Sequence, residues 1–256
     1  MEATAQRASE TPKETLNGEE WATVAQSRAS LYGFLGAVYN RRPDDQFAQG
    51  ILGSALADFV AGVANEEELS AEMREGVDLI DRFIGASEGT PTEELMTQLG
   101  VERTRLVRGV KPGYGPPPPY ESVYSSQMHE TETHRLAAVL NAYAAADAIM
   151  PKDVHDQPDY IGLELDFMRH LCMKEGEAWA AGDEDAACEF IGRERSFLDE
   201  HIAPWVPRFC DVMADEAKLD FYRGIALITK AFVDQEIEGA NDYQELAEET
   251  RNREES

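Results

Sequence analysis

Apolar residues recur along this chain at the spacing of a helix, and nowhere is there sustained alternation of the kind a strand needs. From Trp21 they fall at Trp21, Val24, Ala25, Leu31, Tyr32, Leu35, Val38 and Tyr39, with the stem of Arg28 in the same stripe. This i, i+3, i+4, i+7 pattern sets one face of a helix against a core and predicts a helix that ends near Asn40, ahead of Pro43. Further helical stretches are predicted over 44–63 and 66–84, and over 91–107 behind a Thr90 cap. Gly85, Gly89 and Gly109 punctuate them. Beyond residue 120 the pattern predicts helices over 127–149, over 159–181 with Asp159 as N-cap, and over 183–202, 204–214 and 219–236. The last of these carries a broad apolar face of Phe221, Tyr222, Ile225, Ile228, Phe232 and Val233. The fold class is all-α, a single helical domain of about nine to ten helices.

The helical pattern breaks at Pro116-Pro117-Pro118-Pro119, followed by Tyr120-Glu121-Ser122-Val123-Tyr124. Successive prolines lack the N–H that a helix interior needs and favour extended polyproline geometry, so the chain must stop and restart there. The run divides the domain into sub-bundles over about 19–107 and 121–236, with 108–120 as connector. Residues 1–18 are expected to be disordered. Residues 237–256 form an acidic tail expected to fray or to make a solvent-exposed helix. With halves meeting only through the connector, exchange of one half between two protomers is a route to a homodimer.

Charge narrows the partners. Fifty acidic residues against twenty-three basic ones give a formal charge of −27. Such a surface repels phosphate backbones and argues against nucleic acid, while it favours cationic partners. The three cysteines, Cys172, Cys188 and Cys210, lack a Cys-x-x-Cys pair and read as buried thiols in a reducing compartment. No segment has the apolar length of a membrane span, and the first residues carry no secretory or transit pattern, so a cytoplasmic location is expected.

Catalytic motifs find little support. His129 and His134 stand at i and i+5, about 140° apart around a helix, which is the wrong spacing for a shared metal. None of the five histidines has a glutamate three residues before it, so the ligand pairs of a di-iron bundle are missing. There is no phosphate-cradling glycine loop and no nucleophile elbow. Arg41-Arg42 closes a helix rather than opening an export signal. His155-Asp156 is the residual enzymatic candidate, as ligands of a metal-dependent helical hydrolase, although flanking Pro151 and Pro158 leave no helix to orient the pair. No catalytic residue, metal or cofactor is assigned.

Three segments together carry a resemblance. Tyr120-Glu121-Ser122-Val123-Tyr124 comes first. The run from Pro158-Asp159-Tyr160-Ile161-Gly162-Leu163-Glu164 through Phe167-Met168, with Leu171-Cys172 and Glu175, comes second. Phe197-Leu198, His201, Trp205, Pro207 and Phe209 complete the set. This order resembles the TorD/DmsD family of redox enzyme maturation chaperones over about 21–236. The resemblance implies an all-helical, cytoplasmic, non-enzymatic protein. It would bind the twin-arginine leader, and sometimes the mature part, of a molybdopterin oxidoreductase catalytic subunit, delaying export until the cofactor is inserted. A leader with a basic start and an apolar middle needs carboxylates beside an apolar groove. The resemblance therefore implies a peptide site of Tyr120, Glu121, Tyr124, Asp159, Tyr160 and Glu164, with the carboxylates at its rim and the aromatic rings receiving the apolar segment. Phe167, Met168, Leu171, His201 and Trp205 are expected in the core. Two positions depart from the family: Tyr160 stands where many relatives have histidine, and the segment before the connector keeps Leu106 and Gly109 without the aromatics that usually accompany them.

Overall fold

The computed structural model describes residues 16–52, 56, 69–108, 115–125, 132–149 and 156–254. Helix α1, Gly18–Asn40, opens with a capping box in which Asn17 accepts the Glu19 and Glu20 N–H groups and Glu20 receives the Asn17 N–H. It is followed by α2 (Asp45–Leu52), α3 (Ala71–Ser87, capped by Ser70) and α4 (Thr92–Val107). Pro91, not Thr90, is the N-cap of α4; no side chain caps it, and a proline there withdraws no N–H that the helix would use. The short α5 (Glu121–Tyr124) follows the prolines, and then come α6 (Glu132–Ala145), α7 (Ile161–Ala181) and α8 (Glu184–Phe197). Gly182, at φ +70°, ends α7 in the left-handed conformation that glycine adopts without strain. Helix α8 passes into one π-turn, Leu198–Ile202, before α9 (Val206–Glu216) and α10 (Asp220–Glu254). Parts of the predicted 44–63, 66–84 and 127–149 stretches lie outside the described residues, as does Gly109.

The two halves share one core. Helix α1 lies along α7 and α3 lies along α10, so each long pair joins an element from before the prolines to one from after them. The connector is thus not the sole junction between the halves. Such packing follows from small residues at the crossings. A Cβ on Gly36 would meet the Gly162 carbonyl at 3.3 Å, and one on Gly176 would touch Ala25 at 3.4 Å. Where α3 crosses α10, Gly76 and Gly224 face each other. The carbonyl of Tyr39, at the end of α1, accepts the Tyr160 hydroxyl at 2.7 Å and the Arg103 guanidinium, which satisfies an orphan acceptor and ties α1 to both α7 and α4.

The C-terminal stretch, expected to fray or to form an exposed helix, continues α10 without a break, and one of its faces is covered. Tyr243 packs edge-on against Trp21 at 5.0 Å, Trp21 stacks on Trp179 at 5.3 Å, and the Trp21 indole donates to Thr250 at 3.2 Å. Ala247 and Thr250 are buried there. Three aromatic rings from α1, α7 and α10 thus make a satellite core that holds an otherwise acidic segment. Among the described residues no helix is long and apolar enough to cross a membrane.

The crossing of α3 and α10 gives a stability test. A Cβ on Gly224 would lie 2.7 Å from the Gly76 carbonyl and 2.9 Å from Ile80, and the first of these is backbone that cannot rotate away. Gly224→Ala is expected to destabilise the chain by about 1–3 kcal/mol despite its better helix propensity, read as a lower urea midpoint.

Candidate functional site

The proline run ends where two distant segments meet. Tyr120 and Tyr160 pair in an isolated antiparallel bridge. The Glu121 N–H donates to the Asp159 carbonyl at 3.0 Å and the Ile161 N–H donates to the Pro119 carbonyl at 3.1 Å. Tyr120 is the N-cap of α5 and Tyr160 the N-cap of α7, so both helices start from this bridge and the residues just inside them are brought together. Asp159 was expected to cap α7. It lies one residue too early, and its Oδ2 instead accepts the Ser122 N–H at 3.0 Å, capping α5 across the bridge.

The bridge gathers Glu121, Asp159 and Glu164, but inside the protein rather than at a rim. All three are at most 1% exposed. Glu121 accepts from Arg135 at 3.0 Å, and its other oxygen lies 3.0 Å from His201 Nδ1. Glu164 accepts the Trp205 indole N–H at 3.1 Å through Oε2. The remaining oxygens, Asp159 Oδ1 and Glu164 Oε1, are buried with no hydrogen-bond partner. Burial, reinforced by the neighbouring Glu121 and Asp159 carboxylates, pushes the Glu164 carboxyl well above the usual range.

The tyrosines bind the seam together. Tyr120 packs on Tyr160 with ring centroids 5.4 Å apart and donates its hydroxyl to Asp156 at 3.0 Å; burial and this carboxylate push the phenol up to about 12. Tyr124 donates to the Pro117 carbonyl at 3.0 Å and rests its ring against Trp205 and Phe209. Tyr160 is fully buried, and its phenol donates to the Tyr39 carbonyl. Of the six residues, Tyr120 alone keeps a half-buried side with access to solvent. Asp156 beside it is held by Arg108 at 2.7 Å. His155 and His129 lie outside the described residues, and His134 is exposed on α6.

Three further side chains complete the site. The π-turn inserts an extra residue before α9, and the Leu198 carbonyl accepts the Ala203 N–H at 2.8 Å. From within it His201 reaches Glu121, and just after it Trp205 reaches Glu164, so two residues expected only in the core are also the partners of the acids. Arg135 was not anticipated. Its signal was phase: it falls four and eight residues before Val139 and Tyr143, on the buried face of α6. Phe167, Met168 and Leu171 are core, as expected.

A carboxyl whose folded pKa is raised by burial imposes no penalty below the unfolded pKa, near 4.3, and an increasing one as pH rises through the range where only the unfolded chain ionises. Glu164→Gln keeps an acceptor for Trp205 and removes that titration. Its stability relative to the parent is expected to increase as pH rises above about 5, by at most about 1.4 kcal/mol per unit, in paired urea melts. A difference that stays flat as pH rises would show Glu164 to be charged in the fold.

Comparison with known proteins identifies the family. A family model described as nitrate reductase delta subunit matches residues 66–211, more than half of the chain and all three motif segments. A chaperone protein TorD of Vibrio cholerae serotype O1 is 20% identical over 220 residues, which cover 85% of this chain and 94% of that protein. The selenate reductase assembly chaperone protein of Thauera selenatis is 36% identical over 74 residues, 29% of this chain and 37% of its own length. The chlorate reductase assembly chaperone protein of Ideonella dechloratans is 34% identical over 74 residues, with the same shares. A helical body with its polar groups gathered where the connector meets α7, matched by that model over most of its core, makes this chain a member of the nitrate reductase delta subunit family, the family of the TorD/DmsD chaperones.

Proposed function

We propose that this protein is a cytoplasmic, non-enzymatic assembly chaperone for the catalytic subunit of a molybdopterin oxidoreductase, and that it receives the subunit's twin-arginine leader where the connector meets α7. Family membership and relatives named for selenate and chlorate reductase assembly support the client class. The observation that carries the site is the pair of buried, unpartnered carboxylate oxygens on Asp159 and Glu164. With both acids ionised they are acceptors in excess of the donors around them, so a cation that enters there displaces the proton that burial favours on Glu164. A guanidinium brings five N–H donors in a planar fork and no acceptor, so it is the side chain best suited to fill both. In this reading Tyr120 and Asp156 meet the leader first, and Asp159, Glu164 and Glu121 take the arginines once the bridge at Tyr120 and Tyr160 parts. The rings of Tyr124 and Tyr160 then line the apolar part of the path.

Isothermal titration with twin-arginine leader peptides tests the proposal. A leader is expected to bind with an affinity that falls with added salt, and by tenfold or more when both arginines become glutamine. Asp159→Asn, which keeps the acceptor for Ser122 and removes the charge, is expected to weaken the same peptide about tenfold without lowering the melting temperature. Binding that ignores the arginines, or no binding by any leader, would sink the reading.

A further inference from the structure

A second polar nest lies at the other end of α7, facing a cavity of about 290 Å³ between α1, α7, α8 and α10. Its centre is Arg28, partly buried on the apolar stripe of α1. The guanidinium is divided among three carboxylates. Glu236 takes Nε at 3.1 Å and Nη2 at 2.8 Å, Glu175 takes Nη1 at 3.1 Å, and Glu194 stands 2.7 Å from Nη2. Two of the acids are fully served. Glu175 also accepts from Trp179 at 3.2 Å and from Tyr243 at 2.6 Å, and Glu236 accepts from Tyr32 at 3.1 Å. Glu194 is not. It is 2% exposed and lines the cavity, yet neither carboxylate oxygen has hydrogen-bond geometry to any donor, including the guanidinium beside it. The rest of the cavity is largely apolar, with Val24, Met168, Ile191, Leu198 and Ala240 among its walls.

We infer that this cavity is a binding site for a monovalent organic cation with an alkyl stem, an alkylguanidinium or alkylammonium, whose head is taken by Glu194 and whose stem lies on the apolar wall. Three acids against one arginine leave the nest short of positive charge and of donors. Arg28 meets this only in part: its hydrogen bonds go to Glu175 and Glu236, its 2.7 Å contact with Glu194 is an ion pair without hydrogen-bond geometry, and its plane rests on the Tyr243 ring at 4.6 Å. A divalent metal fits less well. Cys172, Glu175 and Glu194 lie within 4.8 Å of one another, but Glu175 has given its oxygens to three donors and the buried thiol is pushed up, away from the thiolate a metal needs. The cation could be a free small molecule or a side chain of a bound polypeptide, and the chemistry is the same. The site is separate from the connector seam and does not rest on the leader reading.

Burial, opposed by Arg28 and reinforced by Glu175 and Glu236, pushes the Glu194 carboxyl well up, so taking a cation must release a proton. The groups that face it are Arg28 and Tyr32 from α1, Cys172 and Glu175 from α7, Glu236 and Tyr243 from α10, and Arg195 on its own helix. Affinity is therefore expected to rise with pH, by at most about tenfold per unit.

The test is calorimetry of the full chain with n-butylguanidinium, n-butylammonium and uncharged n-butanol, in two buffers of different ionisation enthalpy. The cations are expected to bind with proton release and butanol at least tenfold more weakly. Two variants separate the site from the fold. Glu194→Gln is expected to lose tenfold or more in affinity and all proton release. Gly239→Leu, on the cavity edge where a Cβ meets nothing within 4 Å, is expected to block the cation while the melting temperature holds or rises. A leader peptide that displaces n-butylguanidinium identifies a polypeptide side chain as the source, and one that does not identifies a free cation. No cation binding by the parent chain, affinity unchanged in Glu194→Gln, or stoichiometric zinc or manganese lost on Cys172→Ala would overturn the inference.

Discussion

Helix α7 begins with no face in water, and the polar architecture follows from that. Ile161, Gly162, Leu163, Glu164 and Leu165 are all buried, more than one full turn, so any acid placed there must find its donors inside the protein. Glu164 finds one indole N–H and then runs out. Glu175, eleven residues further along the same helix, finds an arginine, an indole and a phenol. Eleven residues are about three turns, roughly 16 Å of rise, so the two acids cannot share a solution and each organises its own nest. One is built at the connector from α5, α6 and the π-turn, and the other is built from α1, α8 and α10.

Neither nest is what stability alone would select. A buried acid with an unpartnered oxygen is destabilising, and well-packed apolar residues of similar volume do as well or better than a buried charge network. Local rules are broken in this way chiefly where a site must keep unmet bonding capacity for something that is not part of the chain. The same reasoning separates these acids from the rest of the fifty. Those on the surface are hydrated and dominate the formal charge of −27; among the buried ones Asp159, Glu164 and Glu194 keep oxygens without a donor, at defined positions.

The sequence was legible where apolar period governs and misleading where burial does. Helix after helix falls where the stripe of Trp21, Ala25, Tyr32, Leu35 and Tyr39, or that of Phe221, Ile225, Phe232 and Val233, requires it. The residues of the site were also legible as a set, through the order of three motifs. Their depth was not. A carboxylate in a sequence reads as solvated, and nothing in the spacing of Glu121, Asp159 and Glu164 reveals that a two-residue bridge will roll them inward. Two arginines did carry a signal. Arg28 and Arg135 each fall in phase with the buried face of a helix, which for a residue of this charge means a buried partner more often than a free stem. The long C-terminal helix escaped for a related reason. Its acidic composition dominates, and two ring contacts among Trp21, Trp179 and Tyr243 decide its fate.

The prolines give the connector a chemical sense as well as a mechanical one. A proline offers a carbonyl and no N–H, so a run of four lays down acceptors only. Pro117 takes the Tyr124 hydroxyl and Pro119 the Ile161 N–H, while Pro158 across the seam takes the Tyr143 hydroxyl at 2.8 Å. Local donors are thus spent on proline carbonyls beside Asp159 and Glu164, each of which keeps an oxygen without a donor. The seam is acceptor-rich twice over, from its backbone and from its side chains, and that imbalance selects among guests. A phosphate or an acidic peptide would add acceptors to a place that already has too many. A backbone strand brings equal numbers of both and leaves the deficit where it was. A guest made of donors alone corrects it, and the permanently cationic side chains, arginine and lysine, bring several donors each, arginine with the geometry to reach two carboxylates at once.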